Sequence, residues 1–267
     1  MTDKIHVSRL TKQFDVRDTK NKGAVQQFTA IENMEFTIKE GEFITIVGPS
    51  GCGKSTLLDL LGGLTTATSG RILIDGREIT GPGLDRGIVF QQYALFPWKT
   101  ARGNIEVGLE AKGIPKSQWK EQSNHYLELV GLSKFADRYP HELSGGMKQR
   151  VAIARSLAFN PDVLLMDEPF AALDAQTRES LQTELLRIWE KTKKTIIFIT
   201  HGIDEAVYLG QRVVVLSPNP GRVKKIVDIP LKNRLADADI KSNPDFVKAR
   251  REVWSLLHEL EYQGAYI

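Results

Sequence analysis

The sequence predicts an α/β protein with a mainly parallel sheet, an N-terminal antiparallel β portion and an inserted α-helical segment. Three observations lead there. Two alternating segments, "KIHVSRLTKQF" and "FTAIENMEFTI", open the chain, and strict alternation of apolar and polar residues marks half-buried antiparallel strands. Short, nearly continuous apolar runs then recur in "FITIVG", "DVLLMDEP", "TIIFITH" and "RVVVLSP", as expected of strands buried on both faces. Helical patterns separate these runs, and alternating strands and helices imply a parallel sheet.

Each element follows in order. The polar stretch "DVRDTKNKGAVQQ" between the first two strands reads as an exposed loop, "STLLDLLGGL" as a helix, and "RILIDGREI" as a hairpin turning at Asp75-Gly76, a dipeptide suited to the tight turns of hairpins. Residues 91–158 are mostly helical by pattern, with "KSQWKEQSNHYLELVGL" the clearest amphipathic piece. The expected division is a core from 1–90 and 159–230, a helical subdomain at 91–158 and a helical tail at 231–267. In the tail, Phe246, Val253, Leu257 and Leu260 share one helical face and predict packing on the core. About forty tail residues are too few for a further domain with its own core.

The chain has 267 residues, 41% hydrophobic and 26% charged, and a formal net charge of +3, which argues against a nucleic-acid binder with a basic stripe. One cysteine, Cys52, excludes an internal disulfide and fits a reducing compartment. No apolar run approaches the roughly 18 residues of a membrane span, and "MTDKIHVSRL" lacks the apolar stretch of a signal peptide. The expectation is a cytosolic chain whose membrane contact, if any, goes through a partner.

"GPSGCGKST" matches the phosphate-binding pattern G-x-x-x-x-G-K-[ST] at Gly48, Gly53, Lys54 and Ser55, after a strand and before a helix. Such a loop, here Gly48, Pro49, Ser50, Gly51, Cys52 and Gly53, turns tightly so that the backbone N–H groups of its non-proline residues converge on phosphate oxygens, and the helix dipole adds positive potential. Lys54 should reach the β- and γ-phosphates, Ser55 should ligate Mg²⁺, and Thr56 should lie near the α-phosphate. The core is therefore that of a P-loop nucleotidase. Cys52, beside a helix start and a lysine, is expected to have a lowered thiol pKa, to react with thiol reagents and to be protected by ATP.

Ligands of open α/β sheets bind at the carboxyl ends of the strands. "VLLMDEP" puts Asp167 there, suited to the Mg²⁺ shell, and Glu168, suited to polarise the attacking water as general base. His201 ends the next buried strand, where it could contact a γ-phosphate, and Gln91 follows "GIVF" as a neutral sensor of Mg²⁺ and water, preferred over Gln92. "HELSGGMKQRVAIARSLA" presents a second anion-facing helix start. Ser144, Gly145 and Gly146 supply a hydroxyl and backbone donors, and Met147, Val151, Ala154 and Ala158 form a packing face.

Together these residues resemble the ATPase subunit of ATP-binding cassette (ABC) transporters, over nearly the whole chain and in the family's motif order. The P-loop lies at Gly48–Thr56, the glutamine loop at Gln91, the signature at Leu143–Met147, "VLLMDEP" at Val163–Pro169, the D-loop at Ala172–Asp174 and the switch histidine at His201. The chain departs from many members in having Met147 where glutamine is common and Phe14 where a tyrosine would stack on adenine; neither touches the reacting groups. The resemblance implies ATP and Mg²⁺ as cofactors, and a head-to-tail pair of subunits, expected to be a homodimer, in which the signature of one chain closes on the ATP of the other and Asp174 ties the two sites together. It also implies two integral membrane permease subunits docking beside Gln91, Phe96, Pro97 and Trp98, and an extracytoplasmic solute-binding protein met only indirectly. The segments "GPGLDRGIVFQQYALFPWKTARGNI" and "LSPNPGRV" resemble importers of nitrate, taurine and alkanesulfonates. Rival readings are a soluble ABC ATPase for cofactor assembly, an exporter ATPase, or a small-molecule kinase, the last leaving the signature and His201 unexplained.

Overall fold

The computed structural model describes residues 2–17, 25–237 and 239–264. The chain divides into two compact units, 1–82 with 198–267 and 83–197.

In the first unit, β1 (Asp3–Arg17) pairs antiparallel with β2 (Val25–Lys39) and β4 (Ser69–Ile74), and β5 (Arg77–Glu78) closes the order β2-β1-β4-β5. Alternation puts Ile5 and Val7 on the buried face, opposite Ile38 and Phe36. The register then shifts between Val7 and Leu10, where Arg9 has φ 45°, so that Leu10 rather than Arg9 is buried. Gly70 permits this bulge, since a Cβ there would stand 2.2 Å from the Arg9 carbonyl oxygen. The strands run longer than their alternating cores: Phe14 pairs with Phe28, Asp15 with Gln27, Val16 with Gln26 and Arg17 with Val25. The ends of the expected exposed loop thus belong to the ladder, and its middle, residues 18–24, lies outside the described residues. The predicted hairpin is present, with Asp75 and Gly76 both left-handed (φ 49° and 75°) between the paired Ile74 and Arg77.

The same unit holds β3 (Phe43–Val47) parallel to β9 (Arg212–Leu216), and β9 antiparallel to β10 (Val223–Asp228). Every residue of β3 is buried, which explains its unbroken apolar run. Phe43 packs on Phe198 at 6.1 Å between ring centroids. At the opposite end from the P-loop, Arg212 grips the carboxylate of Glu42 with two bonds of 2.5 and 2.7 Å, and its Nη2 also donates to the Thr37 carbonyl at 2.7 Å. Helix α1 (Lys54–Gly62) follows β3. Helix α6 (Ile203–Leu209) is tied to β3 through the Thr45 hydroxyl, which donates to the Ala206 carbonyl at 3.1 Å. Helix α7 (Pro244–Gly264) buries Phe246, Ala249 and Val253 and half-buries Leu257, as the tail pattern predicts; the side chain of Leu260 lies outside the described residues.

The second unit pairs β6 (Arg86–Val89) parallel with β7 (Val163–Asp167) and contains helices α2 (Ala101–Ala111), α3 (Trp119–Leu129), α4 (Gly145–Ala158) and α5 (Ala175–Thr192). Strand β8 (Thr195–Ile199) runs through the boundary between the units. Helices α2 and α4 approach closely because residue 108 is glycine: a Cβ there would meet the Arg155 carbonyl oxygen at 2.6 Å and the Ala158 Cβ at 2.9 Å. No helix among the described residues is long and apolar enough to cross a membrane.

Candidate functional site

The P-loop occupies the turn from β3 to α1, and its shape comes from packing behind it. A Cβ on Gly48 would lie 2.5 Å from the Cys52 Sγ, one on Gly53 (φ 86°) 2.4 Å from the Ile31 Cγ2, and one on Gly221 2.0 Å from the Cys52 carbonyl oxygen. Strand β2 and the turn between β9 and β10 therefore press on the back of the loop, and Gly221 N–H donates to the Ala30 carbonyl at 3.0 Å. The residue Gly53 that opens α1 offers no side-chain cap, and the helix has no acidic residue in its first turn. By contrast, α2, α4 and α5 are each capped by their own side chain, Thr100, Ser144 and Asp174. An uncapped helix start with positive partial charge fits an anionic ligand.

Lys54 is buried, and its ammonium donates to the carbonyls of Gly48 (2.8 Å) and Pro49 (3.1 Å), which holds it across the loop. Ser50, Gly51 and Ser55 are exposed, and Thr56 is half-buried. Cys52 corrects the sequence expectation. Its side chain is 0% exposed, and burial pushes the thiol above its ordinary value, outweighing the charge of Lys54.

His201 follows β8 in the first unit. Thr200 N–H donates to the Ile46 carbonyl at 3.1 Å, which fixes this strand end beside the end of β3. The Thr200 hydroxyl donates to Glu205 at 2.5 Å and accepts from Gly202 N–H at 2.9 Å, leaving the His201 side chain exposed. Phe14 is 39% exposed, paired with Phe28, and has the Lys12 ammonium 4.9 Å from its ring centroid.

The second unit gathers the other motif residues. Val89 pairs with Met166 in the parallel β6–β7 ladder, so Gln91 and Asp167 emerge at the same strand end. Gln91 and Gln92 are both exposed, and Asp167 and Glu168 are half-buried. Glu168 has φ 43°, a left-handed conformation uncommon outside glycine, and its carbonyl accepts from Ala171 N–H at 3.1 Å. The signature and D-loop meet here too. Ser144 is exposed and caps α4 by accepting from Met147 N–H at 3.3 Å. Asp174 caps α5, accepting from Thr177 N–H at 2.9 Å, and hydrogen bonds from Thr177 hold its carboxyl below the usual range. A Cβ on Gly146 would stand 2.6 Å from the Thr177 Cγ2, and one on Gly145 would stand 3.1 Å from both the Leu173 Cδ2 and the Tyr93 hydroxyl. On α4, Val151, Ala154 and Ala158 are buried and Met147 half-buried, as the helical spacing predicts.

Several contributors carry no motif signal. The Asn104 amide, fully buried on α2, accepts from Phe96 N–H at 2.8 Å and donates to the carbonyls of Phe96, Lys99 and Thr100. The Ser156 hydroxyl on α4 donates to the Ile88 carbonyl at 3.0 Å. Phe96 packs on Trp98 at 5.6 Å between ring centroids, and Trp98 is 70% exposed.

A β3–P-loop–α1 cradle in one unit, and a signature helix, a carboxylate-bearing strand end and a D-loop in the other, define an ATP-binding cassette. The family model for the ABC transporter matches residues 31–171, and the chain belongs to that family; it is an ATPase with ATP as its nucleotide. Among its relatives, it is 51% identical to an uncharacterised ABC transporter ATP-binding protein of Methanocaldococcus jannaschii, across 97% of this chain and 93% of that one. It is 51% identical to the nitrate import ATP-binding protein NrtD of Synechocystis, across 87% and 89% of the two chains. The taurine import ATP-binding protein TauB of Rhizobium johnstonii is 48% identical, across 87% and 90%. A solved ATP-binding cassette, a dimer in a post-hydrolysis state bound to ADP and phosphate, superposes with a TM-score of 0.72 at 33% identity, covering 85% of this chain and 100% of that one.

Proposed function

We propose that this chain is the ATP-hydrolysing subunit of an importer for a small solute of the nitrate, taurine or alkanesulfonate kind, peripheral to the cytoplasmic face of the membrane through two separate permease subunits, with a solute-binding protein on the far side. The observation that carries the reading is the pair of helix starts. One, at α1, is uncapped and cradled by glycines. The other, at α4, is capped by its own exposed Ser144 and opens onto two glycines. The first suits the chain's own phosphates. The second suits the γ-phosphate held by another copy, which makes a head-to-tail homodimer the hydrolysing species.

The roles follow from the chemistry of each side chain. Lys54 moves its ammonium from the Gly48 and Pro49 carbonyls to the β- and γ-phosphates, and the backbone from Gly48 to Thr56 binds phosphate oxygens. Phe14 stacks on adenine. Ser55, Asp167 and Gln91 present oxygen donors, the chemistry a hard divalent cation takes when it also binds substrate phosphates. Mg²⁺, when bound, neutralises charge developing on the transferred phosphoryl group. Glu168 accepts a proton from the attacking water, His201 orients it against the γ-phosphate, and Ser144, Gly145 and Gly146 supply donors that exclude bulk water from the open side. Asp174 links the two sites. Within the chain, segments 1–90 and 159–230 form the nucleotide core, 91–158 the permease-docking subdomain, and 231–267 a tail.

The test is Glu168→Gln by size exclusion with MgATP, alone and with co-expressed permease. A dimer that needs ATP and disappears with Ser144→Arg is the expected result. A variant that stays monomeric at saturating ATP even beside its permease overturns the reciprocal-site reading. Release from membranes with permease present favours a soluble assembly ATPase instead.

A further inference from the structure

Between Gln91 and the Phe96–Trp98 pair the chain makes a conformationally costly turn. Tyr93 and Ala94 both lie in the left-handed region, with φ of 52° and 48°. L-residues rarely adopt it, and two in succession persist only where the surroundings over-determine them.

One side chain on α4 is chief among the long-range contacts to this turn. The Arg155 guanidinium donates to the Ala94 carbonyl at 2.6 Å and to the Tyr93 carbonyl at 3.2 Å, and it lies 5.6 Å from the centroid of the Phe96 ring. Its fork matches two adjacent carbonyls that the left-handed turn aims the same way, a geometry a lysine ammonium cannot copy. Burial pushes the guanidinium below its ordinary value, so these carbonyls stand in for lost water. At the other end of the same helix, the Tyr93 phenol reaches the signature, where a Cβ on Gly145 would touch its oxygen. Asn104 pins Phe96, and its helix α2 is locked to α4 at Gly108.

We propose that Arg155 is a positioning residue for ATP hydrolysis: it clamps the glutamine loop onto the signature helix, so that Gln91, the Phe96–Trp98 pair and Ser144 move as one body. This rests on the roles given above to Gln91 and Ser144. The nucleotide's main grip, the P-loop, is not part of the clamp. Loss of Arg155 therefore frees the placement of Gln91 and leaves ATP affinity intact.

The experiment compares Arg155→Met, Arg155→Lys, Ala94→Gly and the Arg155→Met/Ala94→Gly double variant. Glycine adopts φ near +48° without penalty, so it should restore part of what the clamp enforces, worth roughly 5- to 30-fold in the population of the turn. The first readout is hydrogen exchange of segment 89–97 in nucleotide-free protein. The second is kcat and KM for MgATP in the assembled complex. Arg155→Met is expected to speed exchange at 93–95, to lower kcat about tenfold and to leave KM within about twofold. Arg155→Lys is expected to fall between, and Ala94→Gly to recover exchange protection and kcat in the double variant. A purely structural arginine would lower thermal stability without that rescue. Unchanged exchange and kcat in Arg155→Met, or no recovery with Ala94→Gly, overturns the proposal. A wild-type complex that hydrolyses no ATP overturns the functional reading, and this proposal with it; an active wild type matched by Arg155→Met overturns this proposal alone.

Discussion

Replacing Gln149 by methionine should make the protein more stable. Gln149 sits one turn into the signature helix, is 0% exposed, and has both amide atoms, Nε2 and Oε1, buried without a hydrogen-bond partner among the described residues. A buried polar group left unpaired costs about 1–3 kcal/mol. Methionine has nearly the same length and volume and no polar atom, and volume-conserving swaps in a core cost less than about 1.5 kcal/mol. Two orphaned atoms at that cost each, against a repacking cost below about 1.5 kcal/mol, leave a net gain of at least about 0.5 kcal/mol, and at about 2–4 °C per kcal/mol a rise in Tm. The assay is urea unfolding without nucleotide, since bound ATP would add its own stabilisation. The midpoint should rise at constant m. A midpoint that is unchanged or lower would refute the reasoning, and would mean that the Gln149 amide finds a partner in solution.

Three further outcomes follow from the geometry. Cys52 should label slowly with a thiol reagent at neutral pH in the folded, nucleotide-free protein and fast in urea; rapid native labelling would contradict both its burial and its raised pKa. Because the folded pKa lies above the ordinary thiol value, native labelling should still climb with pH beyond the point where a free thiol levels off. Glu42→Ala should destabilise the protein by about 3–5 kcal/mol, because it strands the Arg212 guanidinium, now paired in two bonds, in a largely buried setting; equilibrium unfolding reads this directly.

The P-loop, the strand ends and the signature were legible in the sequence because each is a local pattern whose chemistry depends on residue spacing. The clamps were not. Arg155 finds its carbonyls about sixty positions upstream, and nothing in "VAIARSLA" distinguishes it from a solvated arginine on a surface helix. Asn104 looks like any polar residue in "ARGNI" until the backbone folds around it. The burial of Cys52 is hidden from the sequence for a related reason. Loop position and a neighbouring lysine suggested an activated thiol, but Gly48 and the Leu216 region close over it, and desolvation outweighs charge. The ends of the first two strands look like loop because "DVR" and "VQQ" are polar, yet cross-strand pairing carries them further than hydrophobicity alone would.

The Gly221 turn in "NPGRV" stands well over a hundred positions from "GPSGCGKST", yet the two backbones touch. Since Gly53 and Gly48 also have no room behind them, the loop cannot retreat when the nucleotide leaves. Its ordering entropy is therefore settled during folding, and association begins from a rigid receptor. The encounter rate for ATP should then be set by diffusion and side-chain exchange at Lys54, and turnover by whatever motion brings the remaining parts of the machine to a cradle that is already waiting.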